Sequence, residues 1–405
     1  MTRRLAAALL TAVLLPAGVR AGYRVEAVEA LPLPGLDGKG QPAALAVDPP
    51  GDHLGFEFLA ADGDTLEVYL TRLQGDEALP DGAAPPRPAV PAAGPDPFAL
   101  KPERPLSEGL SFGPPKRGRP RLVVAATRKA AVRGTGVVNL DVFLREPGRR
   151  VFLTEHPEND AQPAFAPDGT AVALTSGRTG QGDLYVYRLR GEPAGLMRLT
   201  FEAGGSELYP AWSPDGDRLA FVGHLGASDH VYLVDRVGAL LAVTDETSRR
   251  LRLREHLRDL TPGWSGTCLA PSFSPDGRWV AFLSRTKAAR PADLYVVPAG
   301  GGRARRVCRG VLSETRGGPR WTPDSRGLVV VLDDADRLNP LAWVPREGTA
   351  PPRLLRTGTE LNADPWVTVR GGEVIVFFTA QGGVGRAEKR WRRVYAARLR
   401  REESP

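Results

Sequence analysis

The stretches Pro163-Ala-Phe-Ala-Pro-Asp-Gly169, Pro210-Ala-Trp-Ser-Pro-Asp-Gly216 and Pro271-Ser-Phe-Ser-Pro-Asp-Gly277 are three copies of one phrase. A fourth, Pro319-Arg-Trp-Thr-Pro-Asp-Ser325, departs from it at its last residue. Each is followed by an apolar run, at residues 171–174, 219–222, 280–283 and 328–332. After a polar loop, three units continue with Asp183-Leu-Tyr-Val-Tyr187, His230-Val-Tyr-Leu-Val234 and Asp293-Leu-Tyr-Val-Val297, and the fourth with Leu341-Ala-Trp-Val344. Some close on a short run such as Met197-Arg-Leu-Thr200 or Arg305-Arg-Val-Cys308. Proline fixes φ, aspartate caps the turn with its side chain, and glycine supplies a positive φ, so Pro-Asp-Gly between two β-rich runs is a hairpin turn. Asp168, Asp215, Asp276 and Asp324 are the expected capping residues. Phe165, Trp212, Phe273 and Trp321 are expected to face inward between neighbouring sheets. Each unit is then a small antiparallel sheet of about four strands. It cannot bury both faces alone, and stacking such sheets in a ring buries them and leaves few free edges. The expected fold is an all-β propeller with four-stranded antiparallel blades.

The same spacing counts the blades. The four aromatics are 47, 61 and 48 residues apart. Trp366 lies 45 beyond Trp321 and precedes the run 374–379; Phe112 lies 53 before Phe165 and precedes the run 122–127. Residues 45–49 precede a further pair of runs at 53–60 and 66–70. Seven blades are expected, with six as the alternative because the first two units are degenerate. The last unit ends one strand short, and residues 23–31 alternate without a unit of their own. This N-terminal strand is expected to complete the last blade and close the ring.

These repeats resemble those of the TolB family of bacterial periplasmic β-propellers, which has relatives in the propeller domains of prolyl-oligopeptidase-type peptidases. The resemblance runs over about residues 161–344 and more faintly beyond. Members of that family carry an α/β domain before the propeller. The stretch after residue 21 is too short for one, so the resemblance implies the propeller part only, and a Tol–Pal partnership is not carried over.

Arg3 and Arg4 precede an uncharged run at residues 5–15, and Val19-Arg-Ala21 offers small residues where a signal peptidase reads. Residues 1–21 are expected to be a cleaved signal peptide, which makes the protein periplasmic or secreted. No later run reaches the roughly 20 residues of a membrane span. Residues 22–405 form the propeller. They include a proline-rich loop insertion at 79–105 and a second insertion at 245–267, expected as a loop or short helix with Leu253, Leu257 and Leu260 on one side. The apolar share of 42% excludes global disorder. Two cysteines exclude a disulfide scaffold. The formal charge of +7 falls to +4 without Arg3, Arg4 and Arg20, and much of the rest sits in residues 386–405, so a nucleic-acid surface is not expected.

Catalytic motifs are not found. The nearest string to a nucleophile elbow, Gly263-Trp-Ser-Gly-Thr267, lacks the second glycine in place. The five histidines show no ligand spacing, although His224 and His230 flank one loop and were they to approach would make a pair. No metal or other cofactor is expected. The loops joining the second and third strands, and those joining one blade to the next, share a face opposite the Pro-Asp-Gly turns. The second insertion is placed on that loop face, and so are Arg178, His224, Arg285, Asp333 and Asp334, the expected ligand- or partner-binding residues. Cys268 and Cys308 fall on the two edges of one four-stranded sheet, about 14 Å apart at ordinary strand spacing. A disulfide needs Cα atoms within about 7 Å, so a bridge requires a loop that folds back. The expected function is a non-catalytic module, monomeric, that binds a protein, peptide or cell-envelope component. The alternative is a propeller enzyme of polysaccharide lyase or hydrolase type with its site at the channel mouth.

Overall fold

In the computed structural model the repeated turns form as their chemistry dictates. The Asp168 carboxylate accepts the Thr170 N–H at 2.9 Å, and Asp276 and Asp324 accept the N–H of Arg278 and Arg326 at 3.0 and 3.1 Å. Gly169, Gly216 and Gly277 have φ of 71°, 74° and 69°. Ser325 takes the same left-handed conformation at 57°, and its hydroxyl accepts the backbone N–H of Asp276 in the preceding blade at 3.1 Å. The structure describes residues 22–31, 40–60, 66–73, 87–88, 109–117, 119–132, 135–146, 149–191, 194–201, 205–225, 228–285, 291–313, 318–334, 338–382 and 392–402. The expected signal peptide, and the proline-rich insertion apart from Arg87 and Pro88, lie outside the described residues.

Seven four-stranded antiparallel sheets make a seven-bladed propeller. The innermost strands of blades one to seven are Gly40–Val47, Leu110–Lys116, Asp160–Phe165, Ser206–Trp212, Thr267–Phe273, Arg320–Trp321 and Thr359–Arg370. The outermost strands of blades one to six are Arg87–Pro88, Arg149–Phe152, Gly195–Arg198, Leu257–Asp259, Arg305–Val311 and Arg353–Leu354. Blade seven takes its outermost strand from the other end of the chain. Gly22–Ala30 runs antiparallel to Arg393–Glu402, with Gly22 opposite Glu402 and Ala30 opposite Tyr395. The expected seam is therefore the observed one.

Blades meet through apolar clusters, each drawing on two neighbouring sheets. Val123, Val142, Phe165 and Leu174 join blades two and three, and Val222, Val231, Phe273 and Phe282 join blades four and five. Phe165, Phe273 and Trp321 are buried as expected. Trp212 departs from the expectation: it is half-buried, not buried, and packs against the cluster shared by blades three and four. Both tryptophans tie blades together by a polar contact that the repeat alone does not reveal. Trp212 Nε1 donates to the Ala164 carbonyl at 3.0 Å, and Trp321 Nε1 donates to the Ser272 carbonyl at 3.1 Å, each acceptor lying in the preceding blade. Arg121, Arg218 and Arg320 stack over Phe165, Phe273 and Trp366 of the following blade at 4.8, 5.3 and 3.9 Å.

A second repeated device also lies outside what the repeat suggests. Gln162, Tyr209 and Ala270, three residues before the aromatic and directly before a proline, have φ of 53°, 58° and 47°. The register of each innermost strand shifts there. Such left-handed bulges cost about 1–2 kcal/mol each in non-glycine residues and bend the strand.

Of the second insertion, residues 246–256 are helical and sit on the other face from the one expected, whereas residues 260–266 join blade four to blade five on the expected face. Helices α1 (Val237–Leu241) and α2 (Glu246–His256) connect the third strand of blade four, Ser228–Val234, to its outermost strand Leu257–Asp259. A connection between third and fourth strands ends on the same face as the Pro-Asp-Gly turns, and the Val237 N–H accordingly donates to Asp217 O in the turn of its own blade at 2.9 Å. The misplacement has a simple cause: Leu-Arg-Asp is too short to read as a strand in sequence, yet it pairs with residues 232–234. Leu253 and Leu260 are buried and Leu257 half-buried, so the insertion packs onto the rim.

Candidate functional site

The five expected site residues lie on four successive blades, and among the described residues no hydrogen bond or ion pair joins residues of different blades within this set. Arg178, in the loop after the second strand of blade three, donates from Nη2 to both oxygens of the buried Asp160 at 3.0 and 3.1 Å and from Nε to Ser176 at 2.7 Å. It clamps its loop to the start of the innermost strand. His224 Nδ1 meets Asp229 Oδ1 at 2.5 Å, and the other oxygen of Asp229 accepts the Cys268 N–H of blade five at 3.1 Å. His230 instead meets Asp259 at 2.7 Å. His224 pairs across the hairpin with Asp229, and His230 with Gly223, so the two rings project from opposite sides of the sheet and do not form a pair with each other. Arg285 ends the second strand of blade five and is half-buried. Asp333 is anchored by its backbone N–H to Gly310 O, and Asp334 accepts the Asn339 N–H at 2.9 Å. Among the described residues no group of three or more His, Cys, Asp or Glu is placed to hold a metal ion. Cys268 and Cys308 are free and buried. Burial, with Asp293 nearby, pushes the Cys308 thiol up to about 11, and burial with Asp229 raises that of Cys268 further.

The structure gathers a different set of residues at the outer rim. A groove of about 880 Å³ opens along the outside of blade five, next to the end of blade four. Pro262 and Trp264 border it on the blade-four side, Tyr295 and Trp279 form aromatic walls, and Arg303, Arg305 and Arg306 line the remaining edge. Trp264 is set by its loop. Thr261 donates its N–H to Asp259 at 2.8 Å, the Trp264 N–H returns to Thr261 O at 3.1 Å, and Trp264 Nε1 donates to Ser284 Oγ at 2.9 Å. Gly266 permits this approach, because a Cβ there would stand 2.7 Å from Ser284 Oγ and 2.8 Å from Arg285 O. The indole then meets Tyr295 edge-on at 4.8 Å between centroids, and Tyr295 stacks on Phe282 at 5.5 Å.

The arginines follow from a glycine turn. Gly301 and Gly302 have φ of 95° and 133° and reverse the chain into the outermost strand. Arg306 meets the Asp293 carboxylate at 3.2 Å. Arg305 donates to the Arg346 carbonyl at 3.2 Å, and the Arg346 guanidinium lies 4.7 Å over the Trp279 ring. Arg303 is exposed and makes no side-chain bond among the described residues. The groove thus offers cations and aromatic faces, and the described residues that line it include no carboxylate, imidazole or thiol. Such a set is complementary to an anionic, partly apolar ligand. The signals in the sequence were Trp264 and the three arginines directly after Gly300-Gly-Gly302, none of which belongs to the repeated phrase.

No family model matches the chain. The uncharacterized protein Atu1656 of Agrobacterium fabrum is 30% identical over 146 residues, which are 34% of this chain and 44% of that protein. The Tol-Pal system protein TolB of Anaeromyxobacter sp. strain K is 33% identical over 128 residues, 30% of this chain and 28% of the relative. The chain therefore matches less than half the length of either. Among solved structures, a puromycin hydrolase aligns with a TM-score of 0.56 at 18% identity, over 85% of this chain and 51% of its own; at that identity the likeness concerns the fold alone.

Proposed function

We infer that this chain, a TolB-like β-propeller, is a non-catalytic binding module of the periplasm or the secreted space, whose ligand is a protein or peptide of the cell envelope. The observation that carries the reading is the blade-five groove, where aromatic walls and three arginines meet, with no carboxylate, imidazole or thiol among the described lining residues. The leader-like residues 1–21 support the compartment. Among the described residues no helix is long and apolar enough to cross a membrane. The enzyme alternative, a lyase or hydrolase at the channel mouth, has its strongest footing in the half-exposed His224–Asp229 pair on the loop face.

A random peptide display library panned on the folded protein tests the reading. Selected peptides should lose binding at least tenfold to the Trp264→Ala, Tyr295→Ala double variant, and the His224→Ala variant should bind them as the parent does. Selection that ignores the groove substitutions, or yields nothing, sinks it.

A further inference from the structure

We propose that the groove takes an extended acidic segment of a partner protein, added as a fifth strand along the outermost strand of blade five. This deepens the binding reading above and rests on it. The first observation is the edge itself. Arg305–Val311 is the outermost strand of blade five; Gly310 and Val311 already pair with Asp333 and Leu332 of blade six, while Arg305–Arg309 has no further strand beside it among the described residues. An open edge at the end of its sheet is a template for another strand.

The second observation is how the side chains fall on either side of that edge. Arg306 stands opposite Tyr295 and Arg305 opposite Val296, so the two arginines project to opposite sides of the sheet. On the first side Tyr295 and Trp264 supply aromatic faces. On the second, Trp279 lies on the same side as Ala281, which stands opposite Val296. Side chains of an added strand alternate with period two, so each parity of the incoming segment meets an arginine and an aromatic ring. The third observation is charge. Of Arg303, Arg305 and Arg306 only Arg306 has a carboxylate partner among the described residues, and the exposed Arg309 continues the basic edge. Carboxylates on the incoming strand complement these guanidiniums.

The panned library tests this directly. Peptides that depend on Trp264 and Tyr295 should be enriched in Asp and Glu interspersed with apolar residues. A selected peptide N-methylated at alternate residues in one of the two registers should bind at least tenfold more weakly, because it loses its ladder donors. The Arg303→Glu, Arg305→Glu variant should lose the acidic peptide at least tenfold and gain affinity for its Lys-substituted counterpart. Arg303→Gln, Arg305→Gln, checked for an unchanged melting temperature, provides the same test without charge reversal. Groove-dependent peptides with no acidic bias would overturn the proposal while leaving the binding reading intact. So would indifference to N-methylation in both registers, whereas capture of an acidic polysaccharide such as alginate in place of peptides would overturn both. Failure to select any groove-dependent peptide removes both.

Discussion

Two residues at one repeat position, Trp212 and Trp321, show how much local packing modulates a repeated role. Each sends its indole N–H to a carbonyl of the preceding blade, but only Trp321 is buried. Trp321→Ala should cost about 3–5 kcal/mol in a denaturant titration, in line with large-to-small changes in cores. Trp212→Ala should cost less, about 2 kcal/mol, and Trp212→Phe about 1 kcal/mol for the lost hydrogen bond. Equal costs for the two alanine variants would contradict the difference in burial. The turn aspartates carry a pH signature. Burial raises Asp215, but the hydroxyl of Ser213, the Asp217 N–H and the Arg218 guanidinium outweigh it and hold the carboxyl below its usual range. Asp276 is held down likewise against burial by Ser274 and the Arg278 N–H. A carboxyl depressed in the fold adds stability that is present above the ordinary carboxyl range and lost as pH falls through the folded value. Between pH 5 and 2.5 the parent should therefore lose more stability than an Asp215→Asn, Asp276→Asn variant. Parallel curves would show that the turns do not hold the charged form.

At the scale of elements, the strand Gly22–Ala30 has the most to decide. It pairs with Arg393–Glu402 and packs Tyr23 against Trp343 of blade six, with centroids 6.3 Å apart. Deleting residues 22–31 should lower the unfolding midpoint strongly and promote aggregation through the exposed edge. Removing residues 403–405 should leave the midpoint unchanged. A deeper trim should lower it, because Arg401 and Glu402 stand opposite Tyr23 and Gly22. Tyr23 gives the seam an alkaline limit. Burial, then the nearby Asp324 carboxylate, pushes its hydroxyl from 10.0 to about 12. Across that interval the unfolded chain has released a proton that the folded chain keeps, so stability falls as pH rises from 10 to 12. Tyr23→Phe should flatten that part of the pH profile, and an unchanged slope would place the tyrosine outside the seam.

For the molecule as a whole, the seam is where the two ends of the chain meet in one sheet without a covalent link. Val28 and Ala397 face each other across it. A Val28→Cys, Ala397→Cys disulfide would close nearly the whole ring covalently. The loop-entropy model for so long a loop gives a stabilisation of up to about 5 kcal/mol. The oxidised variant should unfold at higher denaturant and more slowly than the same protein reduced. The buried thiols of Cys268 and Cys308 should stay unreactive at neutral pH. Equal unfolding rates in the two redox states would mean that the ring opens elsewhere.

The sequence alone determined the fold, because the Pro-Asp-Gly turns, the alternating runs and the spacing of the inward aromatics are all local. A turn needs only its own four residues, and a strand needs only its period of two. The same patterns were enough to place residues 23–31 at the seam, since an unmatched strand and an incomplete sheet leave one solution. What the tertiary structure decided depends on residues far apart in the chain. The face carrying the helical insertion turned on three residues, Leu257–Asp259, whose strand character exists only against residues 232–234. Arg178 and His224 read as open polar residues until Asp160 and Asp229 were found beside them. The groove joins a loop near Trp264 to a glycine turn some forty residues later. No periodicity announces such a site, because its members are selected by the gap between two blades and not by the repeat that builds them.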